Sequence, residues 1–115
     1  MDVKILQLES ISSIDSFIGH TFFGAGNCTA AQLVIDEDQI EFKYFTNYKP
    51  EGHSLNDFGD IKVNIYCNTS KAKIEKNKLI LPQMDYGESV GTFDIINSST
   101  LRMVTAEKIC LNLIK

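Results

Sequence analysis

Strict two-residue alternation is the feature that most constrains this chain. From Gln39 to Asn47, Ile40, Phe42 and Tyr44 fall on one face, and Gln39, Glu41 and Lys43 on the other. That is the pattern of a strand with one side buried. Asp60 to Asn68 repeats it, setting Ile61, Val63, Ile65 and Cys67 against Lys62, Asn64, Tyr66 and Asn68. A helix would spread these apolar residues around its circumference, so both stretches are predicted to be strands.

The neighbouring segments extend the pattern. Ala31 to Asp36 alternates as well, and Asp36-Glu37-Asp38 joins it to the Gln39 strand as a short acidic hairpin turn. Thr69 to Glu75 places Ala72 and Ile74 opposite Lys71, Lys73 and Glu75, then Lys76-Asn77-Lys78 turns the chain into Leu79-Ile80-Leu81 before Pro82 stops it. Val90 to Ile96, Thr100 to Thr105 and Lys108 to Ile114 complete the run, separated by Asn97-Ser98-Ser99 and Ala106-Glu107. One short helix is expected near the start, where Ile11, Ile14 and Ile18 recur at helical spacing. Ser12 with Asp15 would cap it and Gly19 would end it. Gly24-Ala25-Gly26 reads as a loop ahead of the Ala31 strand.

About eight short strands on tight links leave no room for the crossovers that parallel pairing requires. The expected fold is therefore all-β and mainly antiparallel, a small meander barrel or two-sheet sandwich with one short N-terminal helix. Residues 1–115 are expected to form a single β-rich domain.

Tyr66-Cys67-Asn68-Thr69-Ser70-Lys71-Ala72-Lys73-Ile74-Glu75-Lys76-Asn77-Lys78-Leu79 resembles the Cys-Asn hairpin of META domains, small bacterial β-rich domains of heat-shock lipoproteins. Tyr66 and Ala72 stand where that family has glycine, and its later cysteine is missing here. Phe17-Ile18-Gly19-His20-Thr21-Phe22 is similar to the entry into lipocalin-type barrels, without their tryptophan. Both resemblances imply a β-meander, and neither carries an activity over.

Charge narrows the partners. Fifteen acidic against eleven basic residues give a net charge of -4, and Arg102 is the one arginine. Tracking a phosphate backbone takes clustered cations, so a basic protein is the expected partner and nucleic acid is not. The N-terminus lacks the uninterrupted apolar run of a signal peptide, and no stretch has the length of a membrane span. Cys28, Cys67 and Cys110 are odd in number and far apart, which points to reduced thiols. A cytoplasmic protein without membrane attachment is expected.

No motif specifies chemistry. Cys28 with His20 or His53 has the residue types of a thiol nucleophile and base, but cysteines of this kind are usually small buried hydrophobes. Structural zinc sites pair ligands two to four residues apart, and no such pair occurs among the cysteines. A calcium loop starting at Asp36 would need glycine and glutamate where Glu41 and Asn47 stand. Gly24-Ala25-Gly26 lacks the third glycine of a dinucleotide fingerprint, Thr29 standing in its place. Asp57 with Asp60, and Asp85 with Glu88, are carboxylate pairs whose simplest reading is solvated loop acids. No cofactor and no metal are expected.

Two longer connections, Tyr48 to Gly59 and Pro82 to Ser89, are where binding function would sit. The expected function is that of a non-enzymatic binding protein, most concretely a bacterial immunity protein that occludes a basic toxin such as a nuclease. Its expected contact residues are Asp36, Glu37, Asp38, Tyr48, Asp57, Phe58, Asp85, Tyr86 and Glu88, the acids for steering and Tyr86 as anchor. The alternative is a META- or lipocalin-like barrel holding a small ligand. A hydrolase built on Cys28 is the third reading.

Overall fold

The computed structural model describes residues 13–47, 59–82, 90–105 and 108–114. The alternating segments form nine strands: β1 (His20–Ala25), β2 (Thr29–Ile35), β3 (Gln39–Thr46), β4 (Asp60–Asn68), β5 (Lys73–Glu75), β6 (Lys78–Ile80), β7 (Thr92–Asn97), β8 (Thr100–Met103) and β9 (Cys110–Leu113). They make one sheet in the order β4-β3-β2-β1-β9-β8-β7-β6-β5. Every ladder is antiparallel. Each pair joins sequence neighbours except β1 with β9, which brings the two ends of the meander together at the centre of the sheet.

The sheet curls until its inner face meets itself. Phe42 of β3 and Phe93 of β7 lie far apart in strand order, yet their rings meet edge to face at 5.0 Å. Phe22, Leu33, Ile35, Ile40, Leu79 and Leu101 fill the same interior with no exposed surface. A single sheet wrapped around one core is thus an open barrel rather than a two-sheet sandwich.

Strand direction explains why the barrel stays open. Counting along the antiparallel ladders, β4 and β5 run the same way, although they are the two edges of the sheet. The 3-10 turn Thr69–Lys71 joins them, so β5 continues the course of β4 and crosses from one edge to the other. One kinked strand therefore serves both edges, and the seam is bridged by a covalent link instead of a ladder.

Two glycines hold this geometry. A Cβ on Gly24 would lie 2.0 Å from the carbonyl oxygen of Cys110, so only glycine allows β9 to close on β1. Gly59 enters β4 at φ +117, where a Cβ would lie 2.3 Å from the carbonyl oxygen of Thr46. The β5–β6 hairpin turns on Lys76 and Asn77, both at positive φ, 51 and 64, as a two-residue turn matched to strand twist requires.

Three expectations need correction. The N-terminal helix is a single 3-10 turn, Ile14–Phe17, capped by Ser13 rather than Ser12: its hydroxyl accepts from the Asp15 amide at 3.1 Å. Gly24 and Ala25 belong to β1, a strand at the middle of the sheet, not to a loop. Ile61 does not face the core with Val63 and Ile65 but is 54% exposed. The pairing jumps from Tyr44 with Val63 to Phe45 with Ile61, which leaves Lys62 as the extra residue of a bulge. One inserted residue reverses the phase of everything before it.

Candidate functional site

The alternation of strand directions sorts the connections between two ends of the barrel. At the first end lie the 3-10 turn Ile14–Phe17, the acidic turn after β2, the Thr69–Lys71 crossing and the turns after β5 and β7. At the second end the strands give way to Gly26-Asn27-Cys28, to the segment between Thr46 and Asp60, and to the chain beyond Met103.

The first end is sealed. Phe17 is completely buried and meets Phe22 edge to face at 5.8 Å, so the 3-10 turn plugs the barrel beneath β1 and β2. The Gly19 amide donates to the Ile35 carbonyl at 2.7 Å and fixes the plug to the end of β2. Asp36, Glu37 and Asp38 follow, all exposed. Their side chains reach water while their backbone is held: the hydroxyl of buried Thr69 donates to the Asp36 carbonyl at 2.8 Å, and its amide to the Asp38 carbonyl at 2.9 Å. Three carboxylates thus stand on a turn anchored twice to the β4–β5 crossing.

A groove of about 400 Å³ adjoins this turn, walled by Gln39, Tyr66, Cys67, Asn68, Lys71 and Pro82. It follows the seam, between the end of β4 and the residue just past Leu81. Tyr66 is 62% exposed, and its hydroxyl donates to the Gln39 side-chain carbonyl, which fixes the ring beside the acidic turn. Cys67 faces inward beneath it, and burial pushes its thiol pKa up, so it stays protonated and unreactive at neutral pH.

At the second end the described residues line a pocket of about 290 Å³: Phe42, Tyr44, Val63, Val90 and Met103, with Lys62 and Thr105 beside them. Around the Phe42–Phe93 pair the described interior is filled by buried side chains, with Leu81, Met103 and Ile109 in the same core.

The residues expected from the sequence divide accordingly. Asp36, Glu37 and Asp38 are together on the sealed end. Tyr48, Asp57, Phe58, Asp85, Tyr86 and Glu88 lie outside the described residues. Of the described residues that flank those two segments, Asn47, Gly59 and Val90 lie toward the opposite end from the acidic turn, whereas Pro82 walls the groove beside it. Sequence reasoning put Tyr66 on the outer face of its strand but not among the contact residues. Its outward phase in β4 was readable, but its seat beside the acidic turn depends on the pairing of β3 with β4.

Chemistry finds little purchase among the described groups. Cys28 and His20 sit at opposite ends of β1, roughly 16 Å apart at the usual strand rise, too far for nucleophile and base. His53 lies outside the described residues. Among the described residues, no three of His, Cys, Asp and Glu come together. The strongest charge constellation is structural: on the outer face, Asp94 of β7 bridges Lys78 of β6 at 2.5 Å and Arg102 of β8 at 3.1 Å. The Lys78 hydrogen bond holds the Asp94 carboxyl below the usual carboxylate range, outweighing an opposing push from burial, with Arg102 helping.

Among the described residues, no helix is long and apolar enough to cross a membrane. Compared with known proteins, the chain matches no family model, no curated relative and no solved structure.

Proposed function

We propose that this protein is a non-enzymatic binding module whose sealed end docks a basic protein. The observation that carries the reading is the acidic turn held rigid by Thr69 beside the exposed ring of Tyr66. Rigid carboxylates steer a cationic partner and lose little freedom on contact, while an aromatic at the edge of a groove supplies the apolar anchor. Tyr66 takes the anchoring role that the sequence reading assigned to Tyr86. The overall charge of -4 adds a long-range field of the same sign.

The concrete form is a bacterial immunity protein acting in the cytoplasm on a basic toxin such as a nuclease. Its carboxylates would occupy the cationic surface on which the toxin receives phosphate, blocking the active site by charge and bulk. The test is affinity capture from the native cell extract at low and high salt, using the full chain and a variant carrying D36K, E37K and D38K, followed by activity assays on what is captured. The expected result is a basic protein that the unaltered chain retains at low salt, that the variant loses, and whose own activity falls to zero at stoichiometric addition. Equal retention by the variant at low salt defeats the steering role. Undiminished activity of the saturated partner defeats the immunity role.

A further inference from the structure

We infer that the cavity at the second end binds a small amphipathic carboxylate, its apolar body against Phe42, Tyr44, Val63, Val90 and Met103 and its charged end at Lys62. Protein interiors close-pack, and the inner face below the Phe42–Phe93 contact does so, with residue after residue at no exposure. The pocket opens to solvent on one side, so a guest can lay an apolar body on its walls and keep a charged end at the mouth. Its volume of about 290 Å³ corresponds to roughly ten water-sized groups, which suits an eight-carbon chain with a carboxylate. Met103, 4% exposed, supplies a side chain that reshapes around a guest.

The charge assignment comes from the bulge. In an unbroken β4, Lys62 would share the outer face with Asn64 and Tyr66. The register jump between Tyr44 and Phe45 leaves it unpaired and re-aims it, so that it lines the cavity beside Val63. Among the described residues that wall the cavity, Lys62 carries the formal charge. A site of mainly apolar walls, with the Thr105 hydroxyl and one cation at its edge, selects an apolar molecule with one anionic end and disfavours a cationic one. The site lies at the opposite end from the acidic turn and is independent of protein docking there.

The test titrates the full chain with octanoate, octanol and octylammonium, each below its micelle-forming concentration, and follows backbone amide shifts. Octanoate is expected to bind with shifts centred on Val63, Val90 and Met103, octanol more weakly, and octylammonium most weakly. Lys62→Gln, at an exposed position, is expected to weaken octanoate about fivefold, as loss of one partly screened charge pair should, while leaving octanol within about twofold. Val63→Phe, which fills the cavity, is expected to weaken both by tenfold or more, with the fold checked by the retained amide spectrum. No binding by octanoate, equal affinity for the three probes, an unchanged Lys62→Gln variant, or shifts that miss the cavity would each overturn the assignment.

Discussion

The two ends of this barrel are built from the same strands and differ in almost everything else. At the sealed end the links are short, a phenylalanine plug fills the interior, and hydrogen bonds to backbone carbonyls pin the acidic turn. At the other end the described residues leave a mainly apolar pocket of about 290 Å³ beside Lys62. The contrast teaches that rigidity and hollowness were allocated separately. On the readings proposed above, the acidic turn serves a macromolecule and the pocket at the other end a small molecule.

Truncations break the comparison most directly. Phe17→Ala should lower stability by about 3–5 kcal/mol, the cost of a large cavity at a fully packed site. Val63→Ala should cost only about 1 kcal/mol, because Val63 is only half-buried at the edge of the core. Urea unfolding of both variants measures this. Equal losses would mean that the two ends are packed alike.

Next in size is the pin itself. Thr69→Val keeps the shape of the side chain and removes the hydroxyl that serves the Asp36 carbonyl, so it should cost about 1–2 kcal/mol. It should also raise hydrogen exchange at Glu37, Asp38 and Gln39, while amides of β8 and β9 stay as protected as before. If exchange in the acidic turn is unchanged, Thr69 is not what holds it.

Asp94 gives a control that belongs to neither end. Its carboxyl is a quarter exposed and its partners more so, which limits the loss in Asp94→Asn to less than about 1 kcal/mol at pH 7. Because its folded pKa lies below the unfolded value of about 3.9, its contribution is present above that value and fades as pH falls through the folded pKa. Unfolding of both proteins from pH 7 to pH 2 should show the difference closing only below about pH 4. A difference that persists at pH 2 would assign the effect to packing.

The smallest effect on stability belongs to the residues with the largest expected effect on binding. D36K, E37K and D38K together should shift stability by no more than about 0.5 kcal/mol per site, as exposed substitutions do. A larger loss would mean that these carboxylates are structural, and it would remove the reason for reading the turn as a docking surface.

How much of this was legible in the sequence depends on whether a feature is local. The alternation of β3 and most of β4 was readable, because one buried face imposes a period of two on each strand separately. The Lys76-Asn77 turn was readable from its residues. The strand at the centre of the sheet was not: Thr21-Phe22-Phe23-Gly24-Ala25 carries a glycine that looks like a loop signal, and its reason is the carbonyl of Cys110, distant in sequence. Ile61 misled because a bulge is a property of the pairing with β3 rather than of β4 alone. The acidic turn was visible as a charged triplet. That Thr69 pins it, and that Tyr66 stands beside it, follows from the kinked strand that carries the chain across the seam.

The most direct test of the account is hydrogen exchange on the full chain, free and saturated with the basic partner captured at low salt. Slowed exchange confined to Asp36 through Gln39 and Tyr66 through Lys71, with Val63, Val90 and Met103 unaffected, is the predicted outcome. Protection that appears around the cavity while the acidic turn exchanges as in the free protein would contradict it.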